Sequence, residues 1–144
     1  STLAATRRER STLAEEFAQL RGYLEVQGMR MGKRLRFSLE LPEALAQADV
    51  PPMLLQPLVE NSLKHGLEPK VEGGEVKVSA REEGDRLVLE VADTGLGKAN
   101  GSTGGTGVGL SNVRERLAAA YEGAIVDAGV NAAGGYTVRL SIPR

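Results

Sequence analysis

Asn61, Lys64 and His65 recur at helical spacing inside Leu54-Leu55-Gln56-Pro57-Leu58-Val59-Glu60-Asn61-Ser62-Leu63-Lys64-His65-Gly66, with Glu60 beside them. Wound as a helix, Leu55, Val59 and Leu63 fall on one side, while Glu60, Asn61, Lys64 and His65 share most of the other. A carboxamide, an ammonium, an imidazole and a carboxylate on one stripe suit a magnesium-nucleotide. The Asn oxygen is a hard ligand that Mg²⁺ accepts beside phosphate oxygens, and Lys is a mobile point charge for phosphates. Taken alone, the segment is more readily an amphipathic helix with a solvated polar face. What lies downstream shifts that balance.

Two further stretches carry chemistry. Asp93 closes an alternating run and leads into Thr94-Gly95-Leu96-Gly97, where two glycines let the backbone turn sharply and a planar ligand come close. The stretch holding Gly101, Gly104, Gly105, Gly107 and Gly109 has almost no apolar residue and is expected to be mobile without a ligand. It feeds Leu110-Ser111-Asn112-Val113-Arg114-Glu115-Arg116-Leu117, with Leu110, Val113 and Leu117 at helical spacing. A glycine loop entering a helix N-terminus presents free N–H groups and a positive dipole end, which suits an anion.

The elements that must position these groups follow from period. Leu13, Phe17, Leu20, Leu24, Gln27 and Met31 form a seam of period 3.5, which serves either a partner helix or packing on the chain's own domain. Glu15, Glu16, Arg21, Glu25 and Arg30 flank it. Gly22, Gly28 and Gly32 weaken that helix by up to about 1 kcal/mol each, so it is expected to end near Gly32. Leu35, Phe37, Leu39 and Leu41 alternate as a half-buried strand stopped by Pro42. Residues 43–50 read as a connection, and the central helix is expected to begin near Met53 or Leu54, which leaves Pro57 in its first turn or at a kink. Residues 75–82 and 86–92 form a hairpin across Glu83-Gly84-Asp85, with Val76 and Val78 answered by Leu87, Leu89 and Val91. Two more strands, 124–130 and 136–142, finish the chain, the second with Tyr136, Val138, Leu140 and Ile142 inward.

Composition bounds the rest. With 144 residues, one domain is expected, with room for an appended element. Eighteen Lys and Arg against 19 Asp and Glu, a formal net charge of -1, argue against a nucleic-acid footprint. There is no Cys, so disulfides and thiolate metal sites are excluded, and no apolar run approaches the roughly 20 residues of a membrane span. The first residue is Ser1, so a piece of a longer protein is expected.

In this order, Leu-Gln-Pro-Leu-Val-Glu-Asn-Ser-Leu-Lys-His-Gly, Asp-Thr-Gly-Leu-Gly and Gly-Val-Gly-Leu-Ser-Asn-Val-Arg-Glu-Arg-Leu are highly specific together. From about Leu13 onward the chain resembles the catalytic ATP-binding domain of sensor histidine kinases, in the GHKL superfamily that also holds gyrase B and MutL, and within it the LytS/YehU branch. The resemblance implies an α/β two-layer sandwich: a mixed sheet of about five strands with helices on one face, preceded by an N-terminal helix. It implies that residues 1–34 end a dimerisation and phosphotransfer region and that residues 35–144 form the catalytic domain.

Position by position, the resemblance implies that Asn61 ligates Mg²⁺, with Lys64 and His65 as phosphate or lid contacts. Asp93 would accept from the adenine amino group, Gly95 and Gly97 would shape the floor beneath the base, and the backbone of Gly107, Val108, Gly109 and Leu110 would hold the phosphates of ATP. Superfamily ATPases often carry a base one turn before the asparagine; here that place is Pro57, which leaves Glu60 as the nearby carboxylate. Tyr136 stands where many relatives have Thr, with Thr137 one step later. The single histidine, His65, lies inside the nucleotide motif, so the acceptor histidine of the full-length chain is expected on an earlier helix outside this piece. The implied partners are that helix, a response regulator and a second copy in a homodimer, on the cytoplasmic side of a membrane-anchored bacterial sensor. Another GHKL ATPase or serine kinase, and a non-catalytic nucleotide- or partner-binding module, are the alternatives.

Overall fold

The computed structural model describes residues 10–97 and 108–144, the side chain of Val108 excepted. A two-residue strand, β1 (Ser11–Thr12), opens into helix α1 (Leu13–Met31). The Thr12 hydroxyl accepts the Glu15 N–H while the Glu15 carboxylate accepts the Thr12 N–H, so a capping box satisfies donors that a helix start leaves unpaired. Gly32, at φ +60°, ends the helix where the sequence places its stop. Leu13, Phe17, Leu20, Leu24 and Met31 are buried in one cluster with the sheet and the other helices. The seam is therefore filled from within the chain.

Strand β2 (Leu35–Glu40) follows, and Pro42 stops it. Residues 43–50, expected as a connection, contain a 3₁₀ turn (Glu43–Leu45) and strand β3 (Asp49–Val50), which pairs antiparallel with β1. A two-residue strand has no period to read. Helix α2 (Gln56–Asn61) begins two to three residues later than expected and keeps Pro57 in its first turn. It continues as a π-helical turn (Ser62–Leu67), where the Glu68 N–H reaches back five residues to the Leu63 carbonyl at 2.8 Å.

Strands β4 (Gly74–Glu83) and β5 (Arg86–Asp93) form the expected hairpin; helix α3 (Val108–Ala120) and strands β6 (Ile125–Val130) and β7 (Tyr136–Pro143) complete the fold. The sheet order is β2-β4-β5-β7-β6, parallel between β2 and β4 and antiparallel elsewhere. The β2-to-β4 connection carries α2, long enough for a parallel crossover. Register sets Leu39, Val78, Val91 and Val138 in one row, and that face packs on Leu20, Leu24, Leu58, Val59, Val113 and Leu117 of the helices. Each fully buried Leu or Val stabilises by about 1.5–3 kcal/mol. Ion pairs such as Lys77–Glu40, Arg81–Glu90 and Arg139–Glu90 cross the opposite, solvated face. The result is the two-layer α/β sandwich, with a mixed five-stranded sheet and helices on one face.

Candidate functional site

Leu87, Leu89 and Val91 point into the core, and one more step of two delivers Asp93 to the same face, opposite Val76. The alternation that buries apolar side chains thus carries a carboxylate to the end of the core, where it is only 2% exposed. Its Oδ1 accepts from the Gly95 N–H at 2.8 Å and the Tyr136 N–H at 3.3 Å. Burial pushes the Asp93 carboxyl up from its ordinary value. Donation from Gly95, Ser62 and Tyr136, and the charge of Lys70, draw it only part of the way back.

Glycines make the approach to Asp93 close. A Cβ on Gly66 would lie 3.1 Å from Asp93 Oδ1, and one on Gly95 would meet the Gly66 carbonyl carbon at 2.3 Å. The Leu96 N–H donates to the Gly66 carbonyl at 3.1 Å, so the two motifs fit backbone to backbone. Gly97 sits at φ +78° beside the Gly134 carbonyl. A buried acceptor walled by glycine suits the amino edge of a flat heterocycle.

On the helical side, Asn61 is the half-buried last residue of α2, and Ser62 beside it turns inward to Asp93. Lys64 is exposed and His65 partly buried. Burial first, then the neighbouring Lys64 charge, lowers His65 below its ordinary pKa. Glu60 does not join this group: it is exposed, and its carboxylate accepts from Gln56 Nε2 at 3.2 Å. Its charge is felt by Tyr23 of α1, whose hydroxyl is pushed up by burial first and then by Glu60 and Glu68. Val108, Gly109 and Leu110 form the first turn of α3, with Leu110 packed against the core and α3 in contact with α2. Gly107 lies outside the described residues.

Several site residues went unread in the sequence. Asn131 donates through Nδ2 to the Asp93 carbonyl and the Thr137 hydroxyl, both at 3.0 Å, and accepts the Ala133 and Gly135 N–H groups. Its signal was an Asn followed by Gly134-Gly135, a turn cue. Lys70 Nζ holds the Thr94 carbonyl at 2.8 Å, and Arg34 donates to the carbonyls of Leu67, Glu68, Lys70 and Val71. Neither has a local sequence signal. Among the described residues, no three His, Asp or Glu side chains converge to hold a metal by themselves, and no helix is long and apolar enough to cross a membrane.

The family described as histidine kinase-, DNA gyrase B-, and HSP90-like ATPase matches residues 51–144. The sensor histidine kinase BtsS of Escherichia coli (strain K12) is 38% identical over 106 residues, covering 74% of this chain and 19% of that protein. The sensor protein LytS of Enterococcus faecalis is 32% identical over 144 residues, covering 91% of this chain and 24% of that protein. The catalytic domain of histidine kinase ThkA, solved in a nucleotide-free form, superposes with a TM-score of 0.69 at 18% identity, covering 93% of each chain. This chain therefore spans a quarter or less of the length of those two sensor proteins.

Proposed function

The chain belongs to the family of histidine kinase-, DNA gyrase B- and HSP90-like ATPases and carries the ATP-binding catalytic domain of a sensor histidine kinase; from that premise we infer how its residues divide the work. Asp93 would accept from the adenine amino group, and Gly95 and Gly97 would line the base. Lys64, His65 and the backbone of Gly107, Val108, Gly109 and Leu110 would meet the phosphates. Asn61 would ligate Mg²⁺, which when bound neutralises phosphate charge; an octahedral ion held by one side chain takes its remaining ligands from phosphates and water.

In the intact protein, the γ-phosphoryl group would pass to a histidine on an acceptor helix and from there to an aspartate of a response regulator. Residues 1–34 would end the dimerisation region of a homodimer, on the cytoplasmic side of a membrane-anchored sensor. Transfer is favoured over hydrolysis by the surroundings of Asn61. Water needs a base, yet Pro57 occupies the place one turn earlier and Glu60 is exposed and engaged by Gln56. An imidazole nitrogen is already a nucleophile.

The observation that carries this reading is the buried carboxylate of Asp93 facing Gly66, 2% exposed and held by the Gly95 and Tyr136 N–H groups. Its test is a transfer assay with labelled ATP. Alone, the chain is expected to show no acid-labile phosphohistidine; with an added fragment bearing the acceptor histidine, label is expected on that fragment when Mg²⁺ is present. Phosphate release without transfer would instead favour a hydrolase.

A further inference from the structure

Met53 is the only non-glycine with positive φ among the described residues, at +59°. A side chain in this region is strained, and such strain persists only where surrounding contacts hold it. The residue follows Pro51 and Pro52, which carry no N–H, so Met53 and Leu54 present the first backbone donors of the segment that enters α2. Both donors are taken by one side chain. Glu16 of α1, itself 2% exposed, accepts the Met53 N–H at 3.0 Å with one carboxylate oxygen and the Leu54 N–H at 2.9 Å with the other. Successive N–H groups around a left-handed residue form a concavity for an anion, and here the anion is a carboxylate of the same chain.

The opposite side of that turn is held as well. Arg116 of α3 donates to the Met53 carbonyl at 2.9 Å and also to the Pro52 carbonyl. One strained residue is thus gripped through its N–H from α1 and through its carbonyl from α3. The turn so held begins the segment that presents Asn61 five residues into α2, and α3 is the helix whose first turn holds Gly109 and Leu110. Charge-assisted hydrogen bonds at both ends are the strong kind, and a buried carboxylate with its acceptor sites filled costs more to abandon than an exposed one.

We propose that Glu16 and Arg116 are positioning residues that clasp the Pro52–Leu54 turn, so that the placement of α2 and its Asn61 is set jointly by α1 and α3. The link to nucleotide rests on the reading of Asn61 given above; the clasp itself does not. A shift of α1 would reach α2 through Glu16, and a shift of α3 would reach it through Arg116.

Hydrogen exchange on the unliganded protein tests the clasp without any nucleotide. Arg116→Ala is expected to speed exchange of the α2 and π-turn amides about tenfold while the β5 and β7 amides keep their protection. Adding Met53→Gly, which removes the strain, is expected to return much of that protection. Unchanged exchange in α2, or equal acceleration throughout the sheet, would overturn the clasp. If Arg116→Ala does not fold, Arg116→Lys, which keeps the charge and loses the fork, is read the same way. A second measurement compares affinities for adenosine and for a Mg²⁺-loaded ATP analogue. The clasp predicts that Arg116→Ala weakens only the second; equal weakening of both would make the role purely structural. A parent protein that binds neither, with selective exchange in α2 intact, would refute the nucleotide reading and leave the clasp standing.

Discussion

The two halves of the site are built by opposite means. Around Asp93, position is dictated by sheet register and by backbone packed on backbone: Gly135 lies where a Cβ would come within 1.9 Å of the Asp93 carbonyl, and Gly95 presses on Gly66. Around Asn61, position depends on side chains reaching from other helices, with Glu16 and Arg116 at the start of α2 and Arg34 at the carbonyls beyond its end. Contacts between backbones leave almost no room for adjustment, whereas long side chains can be re-aimed at modest cost. The half assigned to the base is therefore the rigid one, and the half assigned to metal and phosphates is the one that neighbouring helices can move.

The largest effect expected from this contrast is at Gly135. Gly135→Ala would drive a methyl group into the Asp93 carbonyl, and a destabilisation on the order of 3–4 kcal/mol or failure to fold is expected in denaturant unfolding. Gly84→Ala is the matched control. Unlike Gly135, Gly84 is left-handed, at φ +62°, but it faces open space, so only the backbone cost of about 1 kcal/mol is expected.

Asp93→Asn comes next, and it should separate binding from stability. The amide oxygen can still accept from Gly95 and Tyr136, but an NH₂ group would face the adenine amino group. Affinity for an ATP analogue is expected to fall about 100-fold, the loss of a charge-assisted hydrogen bond plus an unpaired donor, while the fold survives. Asn131→Ala should cost about 1–3 kcal/mol of stability, because it empties four hydrogen bonds, two within the β6–β7 turn, one to Thr137 and one that ties the turn to the Asp93 carbonyl.

The pH dependence has a definite sign. Asp93 is raised above its ordinary value of 3.8, so the folded state holds the proton more tightly than the unfolded chain. Its contribution to stability is full below that value and is lost as pH rises through the higher, folded-state value. The stability of Asp93→Asn relative to the parent should accordingly rise with pH across that window, in paired unfolding curves. A difference that stays flat or falls would contradict the burial of this carboxylate. The smallest effect belongs to Lys64→Ala: an exposed point charge should change analogue affinity only a few-fold, and less at high salt.

How much of this was legible in the sequence depended on whether the cause was local. The strands Leu35–Glu40, Gly74–Glu83, Arg86–Asp93 and Tyr136–Pro143 announced themselves by period two, and the end of α1 by Gly32. The inward aim of Asp93 was available from the same alternation as Leu87 and Leu89. The π-helical turn was not: it has no period of its own in the sequence, and Gly66 within it packs on Gly95, far along the chain. Glu16 reads as one of the charged residues flanking the seam, yet it is buried, because its partners are the N–H groups that follow Pro51 and Pro52 in a distant segment. Periodicity reports which face is apolar. It cannot report that a carboxylate on that face has been assigned two backbone donors.

The central claim is that one rigid acceptor and one adjustable helix together hold a magnesium-nucleotide. Calorimetric titration with a non-hydrolysable ATP analogue, with and without Mg²⁺, on the parent, Asp93→Asn and Asn61→Ala tests it most directly. Saturable binding that tightens with Mg²⁺ is expected in the parent, loss of most affinity in Asp93→Asn under both conditions, and loss of only the Mg²⁺-dependent gain in Asn61→Ala. No binding by the parent at millimolar analogue, or an Asp93→Asn protein that binds like the parent, would contradict it.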